Sequence, residues 1–128
     1  MKMTTEEAFV KVLQMHGIEN AFGIIGSAMM PISDLFPQAG ITFWDAAHEC
    51  NAGMMADGFT RATGKMSMMV AQNGPGITNF VTPVKTAYWN HTPLLLVTQP
   101  NLKVLFLAGK ESLNKTKIKS PRSLRIIW

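Results

Sequence analysis

Met66-Ser67-Met68-Met69-Val70-Ala71-Gln72-Asn73-Gly74-Pro75-Gly76-Ile77-Thr78-Asn79 joins an apolar run, a glycine turn and the start of a helical pattern. Met66 to Ala71 is short and apolar, the pattern of a strand buried on both faces. Gly74-Pro75-Gly76 supplies a tight turn. From Ile77 to Trp89 the pattern is helical, with Pro83 inside it, so this helix is kinked or starts late. Leu94-Leu95-Leu96-Val97, behind Thr92-Pro93, reads as the next strand. Strand, turn, helix, strand is the unit from which parallel sheets are built.

Upstream the unit repeats. Ile41-Thr42-Phe43-Trp44 is strand-like by its β-branched and aromatic content. It leads through Asp45-Ala46-Ala47-His48-Glu49 into a helix from His48 to about Thr63, with Gly64 as its stop. Asn20 to Ile25 reads as a further buried strand, Gly26-Ser27 as a turn, and Met29-Met30-Pro31 as the opening of a short helix that Pro37 and Gly40 end. Thr4-Thr5-Glu6-Glu7 is a capping box ahead of a first amphipathic helix that stops at Gly17. The alternation predicts an α/β fold: a parallel sheet of about four strands with helices on both faces. Ligands on such sheets bind outside the carboxyl ends of the strands. Topology alone therefore brings Gly26, Glu49 and Gly74 into one neighbourhood.

The 128 residues and 47% apolar content fit one domain with a real core. No apolar run is long enough for a transmembrane helix, and the N-terminus has no signal-peptide core, so no membrane partner is expected. Cys50 is the single cysteine, and a reduced, cytoplasmic setting is the expectation. The net charge of +4 is unevenly placed. Residues 1–100 carry five Lys/Arg against seven Asp/Glu, whereas residues 101–128 carry seven Lys/Arg against Glu111 alone. A basic tail without a recognised motif is a solvated segment more often than a nucleic-acid ligand, so no nucleic-acid partner is expected. The domain is expected to end near residue 99, and 100–128 to be a basic, poorly ordered tail, although Asn101 to Ala108 has enough apolar residues for one more segment.

Each site residue also has an ordinary reading. A carboxylate at a helix start, such as Glu49, gains from the helix dipole. Gly74-Pro75-Gly76 is a turn that any protein can use. It is neither a phosphate loop with Gly-Lys-Ser/Thr nor a Gly-x-Gly-x-x-Gly fingerprint. His48 reads either as a general base or as a helix cap. His16, His48 and His91 lack metal-ligand spacing, so no metal site is expected from them. Cys50 has no visible activating partner and reads as a packed residue.

Together, His48-Glu49, Ala52, Met55-Ala56-Asp57-Gly58-Phe59-Thr60-Arg61-Ala62-Thr63-Gly64-Lys65 and Gly74-Pro75-Gly76-Ile77-Thr78-Asn79 resemble the N-terminal pyrimidine-binding domain of thiamine-diphosphate enzymes of the acetolactate-synthase group. Phe22-Gly23-Ile24-Ile25-Gly26-Ser27-Ala28 departs from that group's usual Pro-Gly turn. With Gln72 to Thr82 and Lys85 to Thr98, it is similar to the sulfoacetaldehyde acetyltransferase branch. The resemblance implies a cofactor, thiamine diphosphate with Mg²⁺, and a reaction of sulfoacetaldehyde with phosphate to acetyl phosphate and sulfite. It implies that Glu49 is catalytic, through a hydrogen bond to the aminopyrimidine ring. It places Ile24, Ile25 and Gly26 where a turn borders the cofactor, and Gln72, Gly74, Pro75 and Asn79 on the pyrimidine pocket.

In the family, the magnesium ligands lie in a separate diphosphate-binding domain, and the cofactor sits between two subunits. The complete enzyme is thus expected to be a homo-oligomer. From Thr98-Gln99-Pro100-Asn101 onward nothing matches, which sets the expectation of an N-terminal fragment, truncated or frame-shifted and inactive alone. The alternatives are an acetolactate-synthase-like carboligase fragment and a non-catalytic module that binds a partner.

Overall fold

The computed structural model describes residues 2–72, 74–98 and 103–107. The chain begins with α1 (Thr5–Met15), β1 (Asn20–Gly23), α2 (Met30–Ser33) and a 3-10 turn (Pro37–Ala39). Then follow β2 (Thr42–Asp45), α3 (Glu49–Thr63), β3 (Ser67–Ala71), α4 (Pro75–Asn79), α5 (Val81–Trp89), β4 (Leu94–Thr98) and β5 (Lys103–Leu107). The capping box forms as its residues dictate. Thr4 Oγ1 accepts the Glu7 N–H at 3.2 Å, and Glu7 Oε2 accepts the Thr4 N–H at 2.8 Å.

The sheet order is β2-β1-β3-β4-β5. β1 pairs in parallel with β2 and β3, and β3 with β4. Phe22 lies opposite both Trp44 and Met69, and Met69 opposite Leu96. This is the expected four-stranded parallel sheet. A fifth strand is added to it: β5 runs antiparallel to β4, with Leu96 opposite Leu105. The boundary expected at residue 99 thus falls between two paired strands. The connection from β4 is too short for a crossover helix, so β5 can join only in the antiparallel sense. Of the expected tail, 100–102 and 108–128 lie outside the described residues.

Side chains alternate across the inner strands and feed two cores. Met68, Val70, Leu95 and Val97 pack with Val10 and Leu13 of α1 and with Met29, Ile32 and Phe36 around α2. Met69, Ala71, Leu94 and Leu96 pack with Ala52 and Ala56 of α3, Phe80, and Ala87 of α5. β3 and β4 are therefore buried on both faces, which explains their unbroken apolar sequence. Each such fully buried side chain stabilises the fold by about 1.5–3 kcal/mol. Among the described residues, no helix is long and apolar enough to cross a membrane.

The strand order reverses beside β1. Its chain continues to β2 on one side, while β3 lies on the other. That switch point opens a crevice at the carboxyl ends of the strands, and the residues following β1, β2 and β3 lie around it.

Candidate functional site

Glu49 is the first residue of α3. His48 is its N-cap, and its Nδ1 accepts the Cys50 N–H at 3.1 Å, so the cap reading of this histidine is the one the structure realises. The cap fixes where the helix begins and so fixes Glu49 at the carboxyl end of the sheet. The carboxylate is half-buried. Its Oε2 accepts a hydrogen bond from Asn79 Nδ2 at 2.8 Å, across 30 residues. Its Oε1 takes no hydrogen bond from the described residues.

Oε1 lies instead against Gly76, where a Cβ would stand 3.1 Å from it and 3.5 Å from Ala71 Cβ. A side chain at Gly76 would crowd the carboxylate. Gly76 and Asn79 stand three apart on α4, so both reach Glu49 from one helix face. In the sequence Gly76 reads only as part of the turn. Its i, i+3 spacing with Asn79 is the signal that could have found it.

The other expected residues are placed as follows. Gly74 is exposed, has a φ of 68° and caps α4, so its part is to form the turn, which needs a residue at ease with positive φ. Pro75 is exposed at the first position of α4, where a missing N–H is harmless. Ile24 is half-buried and donates its N–H to the Val70 carbonyl at 3.3 Å, which ties the end of β1 to β3. Ile25 is exposed. The Gly26 carbonyl accepts the Met29 N–H at 2.8 Å. Gln72 follows β3 directly, and its carboxamide lies over Gly26, where any Cβ would collide with it. Gln72 Oε1 is buried and has no hydrogen-bond partner among the described residues. Asn73 lies outside the described residues.

Glu49, Gly76 and Asn79 thus form one wall of the crevice, and Gln72 with Gly26 another. Gln72 also flanks Gly76: a Cβ there would be 3.8 Å from Gln72 Cβ. Such a wall offers one carboxylate oxygen without a hydrogen bond from the described residues and a backbone cleared of side chains, while the Gln72 amide oxygen is packed over Gly26. It suits a flat nitrogen heterocycle that can meet a carboxylate. Among the described residues, no group of three or more His, Cys, Asp or Glu could hold a metal ion.

The profile of the family described as "Thiamine pyrophosphate enzyme, N-terminal TPP binding domain" matches residues 3–104. A sulfoacetaldehyde acetyltransferase of Roseovarius nubinhibens is 87% identical over 98 residues, 77% of this chain and 16% of that protein. That of Rhodobacter capsulatus is 79% identical over 98 residues, 77% of this chain and 17% of its own length. An acetolactate synthase of Arthrospira platensis is 39% identical over 101 residues, 76% and 17% of the two chains. The fold is that of a solved Rhodococcus jostii thiamine diphosphate-dependent 4-hydroxybenzoylformate decarboxylase: TM-score 0.72, 23% identity, 77% of this chain and 19% of that one. The chain spans about one sixth of the length of the curated relatives it matches.

Proposed function

The chain belongs to the family of thiamine pyrophosphate enzyme N-terminal TPP binding domains, and from that premise we propose that it supplies the pyrimidine wall of an acetyltransferase acting on sulfoacetaldehyde and phosphate. The observation that carries the reading is the Glu49 carboxylate, with Oε2 tied by Asn79 and Oε1 open against Gly76 at the switch point. An open acid oxygen over a backbone without side chains fits an aminopyrimidine ring.

Thiamine diphosphate, when bound, supplies the electron sink for carbon–carbon and carbon–sulfur chemistry that side chains lack. The chain's own residues bind and orient. Glu49 Oε1 holds a proton at a ring nitrogen, and Asn79 keeps the carboxylate turned toward it. Gly76 keeps the approach clear. Ile24, Ile25, Gly26, Gln72, Gly74 and Pro75 border the ring's pocket. In the overall conversion the aldehyde carbon rises to the acyl level while its neighbour loses sulfite and becomes a methyl group. Electrons therefore balance without an outside oxidant, and the acyl group passes to a phosphate oxygen.

Mg²⁺ enters with the diphosphate. In this reading its ligands belong to another domain, contributed in a homo-oligomer by a second subunit, and no step is routed through it here. The cofactor-binding unit is residues 1–99, and the setting is the cytoplasm.

The test exchanges the 98 matched residues of this chain into the R. nubinhibens relative. With thiamine diphosphate, Mg²⁺, phosphate and sulfoacetaldehyde, the chimera should release sulfite and form acetyl phosphate in equal amounts. A chimera that folds and binds cofactor but joins two pyruvate-derived units instead would replace this reading with a carboligase.

A further inference from the structure

We propose that the outer edge of β4 is a docking edge for a second copy of this chain, and that β5 keeps it shut by pairing there first. β4 lies between β3 and β5. Its residues, Leu94–Thr98, carry no charge and are all buried. That is the composition of a strand from the middle of a sheet. β2, which does stand at an end of the sheet, reads otherwise: Thr42, Trp44 and Asp45 are exposed, and Asp45 adds a charge. Exposed charge is one way in which a sheet keeps its edge from pairing with another chain. β4 has no such protection in its own sequence, so the strand beside it decides whether the edge is open.

The sense of that pairing identifies the second occupant. The register runs from Leu94 opposite Leu107 to Thr98 opposite Lys103, antiparallel throughout. The edge thus accepts an antiparallel strand along the whole of β4. A second β4 meets that requirement by symmetry. Strands related by a two-fold axis normal to the sheet are antiparallel, and the rotation keeps each helix layer on its own side. Leu94-Leu95-Leu96-Val97-Thr98 is uncharged and free of proline, which suits strand-to-strand association.

β5 and the second copy compete for the same backbone groups. β5 holds the place because it is tethered to β4 by a short connection, which gives it a high effective concentration at the edge. The device is independent of the cofactor chemistry proposed above.

The experiment uses the full 128-residue chain with Val104→Pro and Leu105→Pro, made separately. Neighbouring residues of an antiparallel strand point their N–H groups in opposite directions, so one proline removes a bond to β4 and the other faces the free side. Only one variant should therefore release the edge. In dilute solution its alternate β4 amides, those turned away from β3, should exchange about tenfold or more faster by NMR, while those turned toward β3 keep their rate. On concentration the same amides should regain protection, and light scattering should give double the mass of the unsubstituted chain. The other variant should match the unsubstituted chain in both readings. Faster exchange of all β4 amides together, or equal behaviour of the two variants, overturns the role of β5. A released edge that stays at the unsubstituted mass, or that grows into particles of no fixed size, overturns the second copy as its occupant.

Discussion

Glu49 has one oxygen tied to Asn79 and the other facing a glycine, and on that asymmetry rests the proposal that it holds a proton at the cofactor ring. Replacing it with glutamine keeps the shape and most of the hydrogen bonding but removes the proton-holding oxygen. In the chimera, Glu49→Gln should slow exchange of the thiazolium C2 proton by about 10²–10⁴-fold. Its thermal unfolding should match that of the unsubstituted protein. Deuterium exchange followed by NMR reads the first quantity, and a shift in melting temperature of more than a few degrees would make the residue structural instead. The acid was legible in the sequence because its place depends on local signals, a strand end and a capped helix start. Gly76 and the Gln72–Gly26 contact were not, since they arise where three segments distant in sequence converge.

Helices α3 and α5 meet at Gly53, where a Cβ would strike the Pro83 ring and approach Phe80 Cδ1 at 3.0 Å. A proline ring cannot swing aside. Gly53→Ala should therefore lower the stability of the chain by about 1–3 kcal/mol, read from the urea midpoint. Gly58, on the same helix, is exposed, and a Cβ there would meet nothing within 4 Å. Gly58→Ala should raise stability by about 0.5–1 kcal/mol, because alanine loses less backbone freedom on folding. Opposite signs from one substitution on one helix test the packing directly. The same contact explains the element that sequence resolved incompletely. The helix expected from Ile77 to Trp89 is two helices that meet at Phe80. Pro83 stands in the first turn of α5, where its missing N–H has no partner to lose, so the late start is the option realised. Strand β5 was harder to read, because lysine-rich text obscured the apolar run within Lys103–Leu107.

As a whole, the described chain is a two-faced layered unit with its chemistry at one end. In the proposed function it forms one side of a cleft, and among the described residues no group of three or more His, Cys, Asp or Glu could hold a metal ion. The 128-residue chain alone, given thiamine diphosphate, Mg²⁺, phosphate and sulfoacetaldehyde, should give no steady sulfite release. Continuous turnover above a buffer control would show that one wall is sufficient. The overall architecture was legible because strand and helix periods alternate cleanly over residues 1–98.

The crevice beside β1 also sets an order of assembly. β1 pairs with β3 as well as with β2, and β3 lies far along the chain. The Glu49–Asn79 bond closes a loop of 30 residues, whose entropic cost is met only when the surrounding sheet is in place. A growing chain that has reached the end of α3 therefore already carries the acid but has no pocket to put it in. Contacts of such long range slow folding relative to local helix formation. Recovery of the Glu49–Asn79 pocket after denaturation should thus lag behind recovery of helical signal.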